Sequence, residues 1–127
     1  MGLFGNKKKK ILVSDGDILS RQSLMTLLLE QGYEVLEAQD GGGAVKTADK
    51  ELPDLILLDN SMPLLAGATA VAILRTNPKT QAIPIIVLSS NNLVSDVEQC
   101  LSQGARDYIV KPFDKAHLLA KIQRLLE

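Results

Sequence analysis

Short apolar runs, each closed by a polar group, alternate along this chain with longer segments whose apolar residues recur at helical spacing. Ile11-Leu12-Val13-Ser14, Leu55-Ile56-Leu57-Leu58 and Pro84-Ile85-Ile86-Val87-Leu88 are too short for helices, and their apolar residues do not alternate with polar ones. That pattern predicts strands buried on both faces of a parallel sheet. Tyr33-Glu34-Val35-Leu36-Glu37 partly alternates, as a strand near a sheet edge does, and Asp107-Tyr108-Ile109-Val110 reads as a fifth strand. Between these runs lie helices. Leu24, Met25, Leu28 and Leu29 form a stripe after Asp17, a good N-cap, and Gly32 stops it. Asp40-Gly41-Gly42-Gly43 reads as a turn before a short helix from Ala44 to Lys50. Gly67 to Arg75 is helical with Val71, Ala72 and Leu74 inside, and Asn77-Pro78 ends it. Val94, Val97 and Leu101 form a stripe ending near Gly104, and Leu118, Leu119, Ile122, Leu125 and Leu126 give the last helix a clear apolar face.

Strand followed by helix, five times over, predicts an α/β fold: a parallel sheet with helices on both faces and right-handed crossovers. Five strands suit the flavodoxin-like doubly wound order 2-1-3-4-5, with its switch point between strands one and three. Residues 10–127 are expected to form one domain, preceded by a flexible basic leader over residues 1–9 that contains the only charge run, Lys7 to Lys10. A chain of 127 residues can bury roughly two-thirds of its unfolded surface, so it needs no disulfide or structural metal.

Composition narrows the function classes. Net charge is −1, with no global basic footprint for nucleic acid. No apolar stretch approaches the ~20 residues needed to span a bilayer, and the start of the chain lacks the form of a signal peptide. The single Cys100 excludes an internal disulfide and fits a reducing cytoplasm. It reads as a packing residue, and His117 as a surface residue of the last helix.

The chemistry gathers at the carboxyl ends of the strands, where open α/β sheets place ligands. Asp59 follows directly on the central run Leu55–Leu58, and Asp15 follows the first strand across the switch point. Ser89 and Lys111, at the ends of strands four and five, face the same crevice. Two carboxylates about 4 Å apart repel by roughly 4 kcal/mol at an effective dielectric near 20. A proton or a cation relieves that repulsion, and Mg²⁺ suits a site of few carboxylates, water and phosphate oxygens. A carboxylate can itself accept a phosphoryl group, with a lysine and a hydroxyl holding its oxygens.

Three motifs in order resemble one family, the receiver domains of bacterial two-component response regulators, in a chemotaxis-regulator-like form. Asp59-Asn60-Ser61-Met62-Pro63 with Gly67 is similar to the phospho-acceptor motif. Pro84 to Ser90 is similar to the strand that ends in Ser or Thr, and Ala105 to Phe113 to the aromatic and Lys-Pro motif. The resemblance runs from about Lys10 to Glu127. It implies that Asp59 accepts phosphate from a sensor histidine kinase or a histidine phosphotransfer protein, and that Lys111 pairs with it. It implies further that Ser89 and Tyr108 act as the switch, that the Lys111-Pro112 bond is cis, and that the last two strands and neighbouring helices bind a downstream protein. Such a protein is a cytoplasmic phosphoprotein rather than an enzyme, and it touches neither membrane nor, without an effector domain, nucleic acid.

Two positions depart from the family. Receivers carry two adjacent acids after strand one, and here they are Asp15 and Gly16. The missing acid is the one that usually binds metal directly. The metal ligands left are Asp59, Asp15 through water, and the backbone carbonyl of Ser61, so any Mg²⁺ is held weakly. The alternative this raises is a pseudo-receiver that docks partners without phosphate. Ala66 stands where Asp often precedes the glycine, with little consequence expected.

Two readings compete. Asp15-Gly16-Asp17 after a strand resembles the DxD motif of haloacid-dehalogenase-type phosphatases, but Leu19 is not the Thr or Val that motif wants, and Asp59 is left unexplained. An FMN binder of this topology needs a phosphate loop after strand one, where this chain is acidic. Replacing Gly16 by Asp restores the missing ligand, so Gly16→Asp is expected to tighten Mg²⁺ binding. A titration that finds the affinity unchanged would remove Gly16 from the site.

Overall fold

The computed structural model describes residues 8–60, 67–90 and 94–127, with the side chains of 94–96 excepted. Most of the basic leader, the Ser61-Met62-Pro63 part of the acceptor motif, Ala66, Asn91 and Asn92 lie outside the described residues. Among the described residues ten elements alternate: β1 Lys10–Ser14, α1 Ile18–Glu30, β2 Glu34–Ala38, α2 Gly41–Glu51, β3 Leu55–Asp59, α3 Gly67–Thr76, β4 Ile85–Ser89, α4 Val94–Gln103, β5 Asp107–Val110 and α5 Lys115–Leu126. The strands pair in parallel in the expected order β2-β1-β3-β4-β5.

Every residue of β3 and β4 is buried, as an uninterrupted apolar run requires when both faces of a sheet are covered. The side chains alternate between two cores. Ile11, Val13, Leu55, Leu57, Ile86, Leu88 and Ile109 pack with Leu24 and Leu28 of α1 and Leu118 and Ile122 of α5. Leu12, Ile56, Leu58, Ile85 and Val87 pack on the other face against the alanines of α2, Val71 and Leu74 of α3, and Cys100 of α4.

Three local expectations need correction. Gly41-Gly42-Gly43 are the first turn of α2, because the Asp40 side chain accepts a hydrogen bond from the Gly43 N–H (2.7 Å) and caps the helix there. Tyr33 is outside β2, since its N–H donates to the Leu28 carbonyl in the turn that closes α1. Leu29 and Leu101, assigned to apolar stripes, are 56% and 37% exposed. Their neighbours Leu28 and Cys100 hold the inward positions, and one residue further turns the side chain about 100° around the helix.

The floor of the sheet is tied by a cation. Arg75, in the last turn of α3, donates to the carbonyls of Gly104 (2.9 Å), Gln81 (3.1 Å) and Ile83 (2.8 Å). Gly104 has φ 119°, and a Cβ there would lie 2.7 Å from the Arg75 Cγ. Gly104→Ala is expected to cost about 1–3 kcal/mol, read as a lowered urea midpoint with an unchanged slope.

Candidate functional site: a lysine between two carboxylates

Strand parity builds the site. Asp15, Asp59 and Lys111 each lie two residues beyond a side chain of the α1/α5 core, namely Val13, Leu57 and Ile109. They therefore share that face of the sheet at its carboxyl edge. β1 lies beside β3, with Ser14 opposite Leu58, which sets Asp15 next to Asp59. The main chain brings Lys111 in, as its N–H donates to the Ser89 carbonyl (2.7 Å) and prolongs the β4–β5 ladder.

The three charges meet. The Lys111 Nζ lies 3.1 Å from Asp15 Oδ2 and 3.4 Å from Asp59 Oδ2. Asp15 is fully buried and Asp59 is 4% exposed. Each carboxylate–ammonium attraction at such distances is about 5 kcal/mol at an effective dielectric near 20, against about 4 for the repulsion between carboxylates. One cation is thus enough to hold both anions in place. Burial pushes the Asp15 carboxyl upward. Hydrogen bonds from the Ser20 hydroxyl, the Asp17 N–H and the Lys111 ammonium, with a contact to Asp59, outweigh burial and hold it below its ordinary value.

Ser20 and Arg21 escaped the sequence reading. The Ser20 hydroxyl donates to Asp15 Oδ2 at 2.6 Å and lies 3.4 Å from the Lys111 Nζ. Arg21 is buried, donates to the Asp15 carbonyl oxygen at 2.6 Å and pairs with Glu37 at 3.1 Å. A signal for Ser20 did exist. Asp17 caps α1 by accepting from the Ser20 N–H (3.1 Å), which makes Ser20 the third helical residue and turns it back toward the end of β1.

The remaining expected residues sort by position. Ser89 ends β4, is 2% exposed, and shares strand parity with Val87 on the α2–α4 face. Tyr108 has that parity too and stands 39% exposed. Gly67 packs on Asn60, where a Cβ would come within 2.5 Å of the side-chain oxygen and 3.1 Å of the Cα, so the acceptor motif needs glycine there. Cys100 is core, and its thiol contacts the Asn60 side-chain oxygen at 3.6 Å. His117 is exposed. The Lys111-Pro112 bond is cis. Asp17 is spent on its cap and exposed, which leaves the phosphatase reading without its general acid.

A divalent ion fits this donor set in part. Asp15 and Asp59 are close enough to share one cation, and Mg²⁺ commonly takes only one or two carboxylates. Gly16 is exposed and adds no ligand, and the Ser61 carbonyl lies outside the described residues. Among the described residues no group of three or more His, Cys, Asp and Glu side chains could hold a metal.

A parallel sheet with an acid after β1, an acid ending β3 and a lysine after β5 marks a class of signalling domain. The chain belongs to the response regulator receiver domain family, whose model matches residues 11–123. It is 37% identical over 117 residues to Protein PilH of Pseudomonas aeruginosa, covering 92% of this chain and 97% of that protein. It is 39% identical over 122 residues to the transcriptional regulatory protein PrrA of Mycobacterium tuberculosis, covering 96% of this chain but only 52% of that one. The chain therefore spans nearly all of one such relative and about half of the other. Among solved structures it resembles the receiver domain of sensor histidine kinase PA1611 from Pseudomonas aeruginosa, crystallised with a magnesium ion in its active site cleft (TM-score 0.88, 33% identity, 94% of this chain and 98% of that one). It also resembles chemotaxis protein CheY4 of Vibrio cholerae (TM-score 0.89, 32% identity, 94% and 100%).

The Asp15 environment sets a pH dependence. Its folded carboxyl titrates below the ordinary 3.8, so it contributes stability above that value and loses it as the pH falls through the folded one. Asp15→Asn is expected to flatten the acid-side loss of stability, compared by urea unfolding between about pH 6 and about pH 3.

Proposed function

We propose that this receiver accepts a phosphoryl group on Asp59. The observation that carries the reading is the Lys111 ammonium 3.4 Å from Asp59 Oδ2, at the end of the central strand. A bond forms between an Asp59 carboxylate oxygen and phosphorus. The phosphorus–nitrogen bond of a donor phosphohistidine breaks, and its electron pair returns to the imidazole. The donor is a sensor histidine kinase or a histidine phosphotransfer protein. Lys111 binds the phosphoryl oxygens as charge builds on them. Ser89 supplies a hydroxyl to the same oxygens, and Tyr108 turns behind it. Both belong to the α4-side face of the sheet, so the change is passed to a protein partner on the surface of β4, β5, α4 and α5. Asp59 is consumed in the step and regenerated by hydrolysis, so the domain is a switch and not an enzyme.

Asp15 and Asp59 would hold Mg²⁺, with the Ser61 carbonyl as a further ligand. The ion supplies neutralising charge for phosphoryl oxygens. The magnesium in the PA1611 receiver cleft supports this assignment. The protein works in the cytoplasm without direct contact with nucleic acid or membrane. No described helix is long and apolar enough to cross a membrane. A second reading, a docking module that needs no phosphate, is favoured by one observation: Gly16 offers no ligand where the family has an acid.

Intact mass after incubation with Mg²⁺ and a small-molecule phosphodonor tests the switch. The expected result is a hydroxylamine-labile gain of one phosphoryl group that Asp59→Asn abolishes and Lys111→Ala lowers by about tenfold or more. Absence of any gain from both the small donor and a panel of phosphorylated histidine phosphotransfer proteins would select the docking module.

A further inference from the structure

Ser20 has no place in the acceptor chemistry described above, yet it makes a short hydrogen bond to an acid of the pocket. Its hydroxyl reaches Asp15 Oδ2 at 2.6 Å, the same oxygen that receives the Lys111 ammonium at 3.1 Å. The other carboxylate oxygen, Oδ1, accepts the Asp17 N–H at 2.9 Å. Both oxygens of Asp15 are therefore engaged by protein donors, and the side chain is fully buried. The Lys111 ammonium has three N–H donors and three neighbouring acceptors: Asp15 Oδ2, Asp59 Oδ2 and the Ser20 hydroxyl oxygen at 3.4 Å.

We propose that Ser20 is a positioning residue of the acceptor pocket, whose hydroxyl locks Asp15 onto Lys111 so that the ammonium, and not a divalent ion, is the resting counter-cation of the two carboxylates. A divalent ion that takes Oδ2 of Asp15 must displace a charge-assisted hydrogen bond, and Oδ1, already accepting the Asp17 N–H in a fully buried side chain, has one lone pair left. With Gly16 contributing no ligand, the other acid of the pair is Asp59, which also faces the Lys111 ammonium at 3.4 Å. Ser20 thus acts against the metal in the same direction as the missing acid. The two features make one device: an internal ammonium stands where an external cation would otherwise neutralise the pair.

The inference rests on the acceptor reading for its purpose, but metal binding is measured on the unphosphorylated protein, so the two can fail separately. Mg²⁺ is titrated into the whole chain labelled with ¹⁵N, and amide shifts of Asp15, Gly16 and Asn60 give the affinity. Ser20→Ala removes the lock and is expected to tighten Mg²⁺ binding by about tenfold. Ser20→Thr keeps the hydroxyl and is expected to bind as the parent does. The ¹⁵Nζ signal of Lys111 is a second readout: sharp and protected from exchange in the parent and in Ser20→Thr, and broadened in Ser20→Ala. If Ser20→Ala does not fold, Ser20→Cys takes its place, with similar volume and a far weaker donor. Tightening of less than about threefold, or a Lys111 signal that the loss of the hydroxyl leaves unchanged, overturns the proposal.

Discussion

One ammonium group holds the working end of this molecule together. Lys111 meets Asp15 across 96 positions of sequence and Asp59 across 52. The first, third and fifth strands deliver these residues, and no local segment carries two of the three. Bringing them together takes β1, β3, β4 and β5 side by side in the 2-1-3-4-5 order. The contact in turn relieves the cost of setting two buried acids side by side. Removing the lysine would take away the cation that two neighbouring buried acids share, and breaking a buried ion pair by deleting one partner is among the costliest changes a fold can suffer.

Strand parity divides the roles. The charged residues follow the strand parity of the α1/α5 core, whereas Ser89, buried, and Tyr108, exposed, follow that of the core shared by α2, α3 and α4. The sheet is therefore a partition, with the charged residues on one face and Ser89 and Tyr108 on the other. Asn60 crosses the partition. It follows Asp59, its side-chain oxygen meets the Cys100 thiol of α4, and Gly67 makes room for it.

Much of this was legible in the residues. An apolar run with an acid at its end states both where a strand is buried and where it stops, so β1, β3 and β4 and the positions of Asp15 and Asp59 could be read directly. The motif around Lys111 was equally plain. The start of α2 was not, because three glycines argue for a turn and only the Asp40 cap reverses them. Ser20 and Arg21 were missed for another reason. Their partners are an oxygen of Asp15 and a main-chain carbonyl, and helix periodicity carries no information on what a polar face meets once the helix docks. Leu29 and Leu101 erred the same way, since a stripe fixes the spacing of apolar residues but not which of two neighbours faces in.

Arg75 lies at the far end of the sheet from the charged pocket, yet it constrains what α4 can do. Its guanidinium joins the last turn of α3 to the carbonyl of Gly104, just past the end of α4. A shift of the whole helix would have to break that bond. A swing about Gly104 would keep it. The helix is in effect a lever with its fulcrum at the floor of the molecule, so a small displacement beside Ser89 is largest at the end of the helix nearest the pocket and fades toward the end that Arg75 pins.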